Sequence, residues 1–306
     1  MGGPARIRTG YLAAEGFESQ LEQELGRGYI HERHGRLFLV DGPAGPAAWA
    51  ANIWYDPKEI AFDSISQAAA ALRAMQRNWA LYPHRLHRRA SLIQDKLPHV
   101  SAKPLVFPAQ LPKAPLGSWT LLDANRLLAA PRCTSAFANG AVEFVENKAA
   151  PPNRAYLKLW EALTLIERRP QSGERCLDLG ASPGGWSWVL QSLGARVIAI
   201  DRAPLDPDIA TLPGIEYRSA SAFALEPRDI GPVDWLCSDI VCYPGKLLEL
   251  VNRWLESGLA RNFVCTIKFQ GQTDYAAAAP FAAIPGSRLM HLHHNKHELT
   301  WVRLTT

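Results

Sequence analysis

A turn of small residues follows an acidic residue in residues 176–190, which read CLDLGASPGGWSWVL. An apolar run ends at Asp178, the turn contains three glycines, and an apolar helix pattern follows it. A strand–turn–helix with glycines at the turn lets the backbone approach a ligand closely. This segment is therefore the first candidate for a ligand site.

The composition of the turn disfavours two nucleotide ligands. A triphosphate loop ends in Gly-Lys-Ser/Thr, and this turn has no lysine. A dinucleotide loop has the pattern G-x-G-x-x-G, whereas here Pro183 stands between Gly180 and the later glycines. The remaining candidate is a nucleoside without phosphates, beside the alternative of a tight turn with an incidental acid.

Two carboxylates favour the nucleoside. Asp201 ends the next predicted strand, where a carboxylate can accept hydrogen bonds from both ribose hydroxyls. Asp178 ends the first strand, where it could face a cationic group. An adenosyl ligand that carries a sulfonium and an ammonium group fits both.

Residues 148–306 contain the elements that would position this turn. Helical and strand patterns alternate, which predicts an α/β domain with a parallel sheet and a ligand at the carboxyl ends of its strands. The last two strands are close in sequence and must pair antiparallel, so the sheet ends in an antiparallel strand. The predicted strands are RCLDLG, RVIAID, VDWLCSDI, NFVCTIKF, SRLMHLHHN and ELTWVRL, and the predicted helices are NRAYLKLWEALTLIER, GGWSWVLQSLG, GKLLELVNRWLESGLA and TDYAAAAPFAAI.

Residues 1–147 form a second, smaller α+β domain in this interpretation. A serine precedes an alanine-rich helix pattern over residues 64–82, and a second helix pattern has apolar residues at 17, 21 and 25. Several prolines between 98 and 115 predict an irregular crossing. The predicted strands are GYLAAEG, GRLFLVDG, SWTLLDAN and AVEFVEN.

The overall composition is that of a globular protein, with 47% hydrophobic and 20% charged residues in 306. No stretch approaches the ~20 apolar residues needed to cross a bilayer, so no membrane partner is expected. Five scattered cysteines argue against a disulfide framework and predict a cytoplasmic location. The histidines of HLHHNKHEL have no cysteine or acid set to complete a metal site, so no metal is predicted.

One basic stretch stands out although the net charge is only +4. Arg85, Arg88 and Arg89 lie close together in residues 84–103, where Asp95 is the only acidic residue. These arginines are candidates for a phosphate-contacting surface. The alternative is an ordinary solvated helix face.

The turn DLGASPGGW resembles the cofactor loop of the FtsJ-like ribose 2′-O-methyltransferases. The resemblance implies a Rossmann-like S-adenosylmethionine-dependent methyltransferase sheet. It also implies that S-adenosylmethionine is the cofactor and that Ser221 lies near the adenine, where the family commonly has an aspartate. The implied cofactor-binding residues are Asp178, Gly180, Ser182, Pro183, Gly184, Gly185, Trp186, Asp201, Ser221 and Asp239.

The same resemblance implies a Lys-Asp-Lys-Glu catalytic tetrad, which matches Lys158, Asp239, Lys268 and Glu298. Topology independently brings Asp239 and Lys268 beside the turn, because both end predicted parallel strands. Lys268 is the implied general base, and a lysine accepts a proton only as the neutral amine, which burial or a neighbouring cation favours. Taken alone, each residue also fits an ordinary structural role. These roles are a helix-face lysine for Lys158, a strand-end cap for Asp239, an edge lysine for Lys268 and a solvated strand residue for Glu298, and for Lys158 and Glu298 the ordinary role is the preferred interpretation.

The resemblance implies methylation of a ribose 2′-hydroxyl of RNA, and most specifically of a cytidine in 23S ribosomal RNA before or during ribosome assembly. Another RNA such as transfer RNA, and a non-catalytic RNA-binding relative, remain alternatives. A nicotinamide-dependent oxidoreductase is disfavoured by the glycine spacing. The N-terminal region resembles an RNA-binding extension of the family, chiefly in GYLAAEGFESQLEQEL, and the sequence does not decide whether it is a THUMP domain.

Overall fold

A computed structural model describes residues 7–305, which divide into two compact units. The first unit contains residues up to 105 together with residues 111–143. The second contains residues 106–110 and the chain from residue 144 onward, so the change of unit falls shortly before the expected boundary at 147. No helix within residues 7–305 is long and apolar enough to span a bilayer.

Among its described residues, the first unit contains two mainly antiparallel sheets and three α-helices. The sheet orders are β2-β3-β1-β4-β9 and β5-β8-β7-β6. The strands are β1 (Arg8–Ala13), β2 (Ile30–His34), β3 (Leu37–Asp41), β4 (Ala50–Tyr55), β5 (Lys58–Ala61), β6 (Trp79–Leu81), β7 (Gly117–Leu121), β8 (Arg126–Ala130) and β9 (Arg132–Cys133), and the helices are α1 (Glu18–Leu25), α2 (Ile65–Met75) and α3 (His87–Gln94).

Helix α2 begins as the sequence predicts but ends earlier. The Ser64 side chain accepts a hydrogen bond from the Gln67 N–H and caps the helix. The prediction of helix through residue 82 is wrong, because Trp79 is fully buried and β6 pairs with β7 in the sheet. A short apolar run such as WALY fits a helix or a strand equally well, so tertiary pairing decides. The strand predicted over residues 141–147 is not formed.

The second unit is a seven-stranded sheet flanked by helices, in the order β12-β11-β10-β13-β14-β16-β15. Strands β10 to β14 run parallel, and β16 runs antiparallel to both of its neighbours. The elements are α4 (Tyr156–Leu165), β10 (Arg175–Leu179), α5 (Gly185–Ser192), β11 (Arg196–Asp201), α6 (Pro207–Ala210), β12 (Ile215–Ser219), α7 (Pro227–Ile230), β13 (Val233–Ser238), α8 (Pro244–Ser257), β14 (Ala260–Lys268), α9 (Tyr275–Ala283), β15 (Ser287–Met290) and β16 (Glu298–Arg303).

This architecture confirms the predicted α/β class, its Rossmann-like sheet and its terminal antiparallel strand. One element is shorter than expected, since β15 ends at Met290 rather than continuing through HLHHN. The backbone N–H groups of His293 and His294 donate instead to Glu161 on α4. The chain therefore leaves the sheet before it returns as β16.

Candidate active site at the carboxyl ends of the parallel strands

The glycine turn follows β10 and lies close to the neighbouring strand end. Gly180 has φ +77°, and a Cβ added there would lie 2.8 Å from the Ile240 Cα. A side chain at this position would therefore meet rigid backbone in an unfavourable conformation. The approach of the turn to the end of β13 requires glycine at this position.

The N–H groups at the start of the turn are used within the protein. Gly180 and Ala181 donate to the Ile200 carbonyl at 2.9 and 3.1 Å, and Ser182 donates to Asp201 Oδ2 at 3.0 Å. A phosphate-binding loop needs such N–H groups to point at the ligand. These three donors are therefore not available to bind a phosphate.

Asp201 lies at the end of β11 with its carboxylate fixed at both oxygens. Oδ2 accepts from Ser182 N–H, and Oδ1 accepts from Ala203 N–H at 3.0 Å. Each carboxylate oxygen can accept more than one hydrogen bond, so both keep acceptor capacity. The carboxylate is thus oriented and can still accept hydroxyl groups.

A cavity of about 450 Å³ opens beside this turn. Most of the predicted cofactor residues line it, namely Gly180, Ser182, Gly185, Trp186, Asp201, Ser221 and Asp239. Pro183, Gly184 and Asp178 do not. Gly184 and Pro183 instead shape the turn that leads into α5, where Gly184 has φ +118° and faces Ile209.

Asp178, expected to face a cationic ligand group, does not line the cavity. Its side chain is buried, and Oδ2 accepts a hydrogen bond from Ser187 Oγ of α5 at 2.7 Å. Burial raises the pKa of Asp178 to about 7. The direction of a side chain on a central strand depends on the packing of α5, which the motif alone does not specify.

The four residues of the predicted tetrad come together from α4, the ends of β13 and β14, and the start of β16. Lys158 Nζ lies 2.7 and 2.8 Å from the two oxygens of Asp239 and 3.1 Å from Glu298 Oε1. Lys268 Nζ lies 3.2 Å from Asp239 Oδ1 and donates to the Asp239 carbonyl. Two ammonium groups and two carboxylates therefore form one connected cluster.

The two lysines of this cluster differ in their access to the cavity. Asp239 and Lys268 line it, whereas Lys158 and Glu298 lie behind them. The Lys158 side chain is 11% exposed and is held by two carboxylates, while that of Lys268 is 19% exposed. Lys268 is thus the lysine that can reach a bound molecule, and Lys158 is a fixed cation behind it.

The basic residues proposed for RNA binding do not form a comparable cluster. Arg85 donates to the Leu122 carbonyl at 2.7 Å, and the Arg89 guanidinium stands 5.5 Å from the Phe62 ring centroid. Arg88 is exposed on α3. Arg88 therefore faces solvent, whereas Arg85 and Arg89 each contact another residue of the protein.

Apolar residues of the cavity were not predicted from the sequence. Phe223, Ile240 and Val241 line it beside Ile200 and Ala222. Apolar residues after a strand form no recognisable motif. The only sequence signal for Phe223, Ile240 and Val241 is that they closely follow Ser221 or Asp239, which were predicted to bind the cofactor. Within residues 7–305 there is also no group of three His, Cys, Asp or Glu side chains that could hold a metal ion.

Part of the sequence is similar to those of known methyltransferases. Ribosomal RNA large subunit methyltransferase M of Halorhodospira halophila is 37% identical over 157 residues, which cover 49% of this chain and 46% of that protein. The protein of the same name from Cellvibrio japonicus is 37% identical over 130 residues, which cover 40% of this chain and 37% of that protein. The chain thus matches less than half the length of either relative.

A family model described as FtsJ-like methyltransferase matches residues 151–265. The match contains the glycine turn, Asp201 and two tetrad residues, Lys158 and Asp239, and it ends shortly before Lys268. Over residues 151–265, the second unit of this chain is therefore similar to the FtsJ-like methyltransferases.

Proposed function

We propose that this protein transfers the methyl group of S-adenosylmethionine to a ribose 2′-hydroxyl of RNA. The observation that carries the proposal is the position of Lys268 and Asp239 on the wall of the cavity, with Lys158 and Glu298 directly behind them. A general base beside the cofactor cavity is what a weakly acidic hydroxyl group requires.

The residues of the cavity fit an adenosyl cofactor. Asp201 offers oriented acceptors for two ribose hydroxyls, and Phe223 and Ile240 supply apolar surface for a purine ring. Ser221 adds a hydroxyl on the wall of the same cavity. Because the N–H groups of residues 180–182 are already bonded within the protein, the turn suits a nucleoside rather than a pyrophosphate.

Each residue of the tetrad has a different role in this mechanism. Bound S-adenosylmethionine supplies an electrophilic methyl group on sulfur. Lys268 accepts the proton of the ribose hydroxyl, and Asp239 orients the amine through its carboxylate and its carbonyl. Lys158 forms an ion pair with Asp239 and is itself held by Glu298, so the carboxylate that orients Lys268 stays in place.

The names of the two relatives indicate which RNA is the substrate in this proposal. Both are named as methyltransferases of large-subunit ribosomal RNA. We infer a cytidine of 23S ribosomal RNA as the target, modified before or during ribosome assembly while its ribose is still accessible. Such a substrate implies that the protein works in the cytoplasm.

Transfer from S-adenosylmethionine with a labelled methyl group tests the proposal. Purified protein would be incubated separately with protein-free 23S RNA, assembled large subunits and transfer RNA, and the labelled nucleotide mapped. We expect ribose label in a cytidine of free 23S RNA and little in assembled subunits. Label in transfer RNA alone would overturn the substrate assignment, and transfer to none of the RNAs would overturn the enzymatic function.

A further inference from the structure

A buried carboxylate lies outside the tetrad and the cavity. Glu161 on α4 is 1% exposed, yet it has three donors around it. The His293 and His294 N–H groups lie 2.7 and 3.0 Å from its two oxygens, and His294 Nδ1 lies 2.7 Å from Oε2. A buried carboxylate is tolerated only when it is hydrogen-bonded in this way, so these contacts hold the segment firmly.

Glu161 belongs to the same helix face as Lys158. The two residues are three positions apart, a spacing that puts side chains side by side on a helix. Lys158 contacts the tetrad, whereas Glu161 contacts the segment that leads from β15 to β16. One helix therefore binds both the catalytic cluster and the chain that enters it.

The segment anchored by Glu161 continues directly into Glu298. The Asn295 side chain donates to the Glu298 carbonyl at 3.2 Å, and the Lys296 N–H lies 3.3 Å from Glu298 Oε1. Glu298 in turn contacts Lys158 at 3.1 Å. The contacts form a closed ring from α4 through residues 293–298 and back to α4.

We propose that Glu161 is a positioning residue, which holds residues 293–298 so that Glu298 stays against Lys158. The inference rests on the proposed function, since its catalytic consequence is carried by the tetrad. Without this anchor Glu298 keeps its place beside Lys268 in the sheet and its contact with the Lys296 N–H, but its carboxylate is held less firmly against Lys158. Lys158 then depends more on Asp239 as its partner. The balance of charge around Lys268 then changes although Lys268 itself is untouched.

The isosteric variant Glu161→Gln tests this inference. An amide has one acceptor oxygen and presents N–H groups where the carboxylate accepted, so the bonds to residues 293 and 294 weaken at nearly constant volume. We expect kcat to fall roughly 10- to 100-fold, since small misplacements of a catalytic group have effects of that size. Affinity for S-adenosylmethionine should stay within about twofold, because Glu161 does not line the cavity. The exposed Glu249 of α8 provides the matched control Glu249→Gln.

A double-mutant cycle separates positioning from general stabilisation. If Glu161 acts through Glu298, then Glu161→Gln should cause little further loss of kcat in a Glu298→Gln background. The variant His294→Asn keeps an amide donor near the position of Nδ1 and should retain more activity than His294→Ala. Additive losses in the cycle, or equal losses with lower affinity for S-adenosylmethionine, would overturn the inference.

Hydrogen–deuterium exchange provides a test that needs no substrate. In Glu161→Gln, residues 291–298 should exchange faster while residues 175–201 keep the wild-type rate. Unchanged exchange in residues 291–298 would overturn the inference whatever the activity. If the wild-type protein methylates no RNA, the proposed function fails and the exchange result alone decides whether Glu161 holds this segment.

Discussion

Charged residues behave differently in the two units. In the second unit, four charged side chains from separate elements contact one another, with Lys158 and Lys268 sharing one oxygen of Asp239. In the first unit, Arg85 and Arg89 are close in sequence but have unrelated contacts. In the second unit, residues that are far apart in the sequence therefore contact one another, whereas in the first unit arginines that are close in the sequence have separate contacts.

The difference follows from the geometry of the elements. Parallel strands bring their carboxyl ends to one edge of a sheet, so residues that end β13 and β14 must be neighbours. Consecutive residues of a helix point in different directions, so Arg88 and Arg89 of α3 do not share a face. A charged residue at a strand end thus predicts a site more securely than a charged run in a helix.

Removal of Lys268 should have the largest effect. We expect Lys268→Ala to reduce single-turnover methyl transfer by about 100-fold or more, as for loss of a general base. Affinity for S-adenosylmethionine should change little, because the base is needed mainly in the transition state. The exposed Lys113 of the first unit gives the control Lys113→Ala. Near-native transfer by Lys268→Ala at saturating cofactor and RNA would show that Lys268 is not the general base.

Asp201 should matter for binding rather than chemistry. Asp201→Ala removes the acceptor of the Ser182 and Ala203 N–H groups together with the acceptors for ribose hydroxyls. Since one hydrogen bond to a charged group is worth about 1.5–3 kcal/mol, the loss of a single ribose contact should lower affinity for S-adenosylmethionine about tenfold to a hundredfold. Calorimetry measures this, with the exposed Asp208 changed to alanine as a control. An unchanged affinity would mean that the cofactor does not contact Asp201.

The buried Asp178 should make stability depend on pH in the reverse of the usual sense for a carboxylate. Burial raises its pKa from 3.8 to about 7, so the folded protein keeps a proton that the unfolded chain releases. The free energy of unfolding contributed by this group therefore falls as pH rises from about 4 to 7. The half-buried His291 has the opposite contribution, because desolvation lowers its pKa from 6.5 to about 4 and the stability that it contributes rises over that window.

Asp178→Asn should reveal the contribution of Asp178, which the opposite contribution of His291 partly offsets in the wild-type protein. The variant removes the falling contribution, so its free energy of unfolding should rise relative to wild type by about 2–4 kcal/mol between pH 4 and pH 7. Urea titrations at several pH values measure the difference. Parallel pH profiles of the two proteins would show that Asp178 is ionised in the folded state at pH 4 to 7.

Ser221→Asp should have a small effect, in the favourable direction. Ser221 lines the cavity, and the resemblance to the FtsJ-like methyltransferases implies that an aspartate is common at this position. A charged acceptor forms a stronger hydrogen bond than a hydroxyl group, so affinity for S-adenosylmethionine should be kept or improved up to about tenfold. Ser221→Ala is the matched comparison. Loss of binding in Ser221→Asp would show that Ser221 does not face the adenine.

Replacement of the arginines of the first unit should have the smallest effect among these variants, and the effect should be on RNA binding. If Arg88 meets a phosphate, Arg88→Ala should lower the slope of log affinity against log salt by about one. Arg85 and Arg89 need controls for stability, because both have contacts within the protein. An unchanged slope in Arg88→Ala and in the triple alanine variant would assign this stretch to an ordinary solvated surface.

Much of the second unit could be predicted from the sequence. Strand RVIAID was predicted with its exact limits, and the glycine turn, Asp201 and the antiparallel last strand follow from local patterns and chain connectivity. The first unit was harder, because β4 and β5 flank the Asp56-Pro57 turn signal without pairing with each other. Their pairing depends on partners far away in the chain.

The sequence by itself determined which residue types stand at the strand ends, since an α/β alternation leaves few alternatives for the ligand edge. Only the tertiary structure decided that Asp178 turns toward Ser187 while Asp201 lines the cavity. It also decided that Lys268 is accessible and Lys158 is enclosed by two carboxylates. The direction of a side chain depends on what packs against it, and those neighbours come from distant parts of the chain.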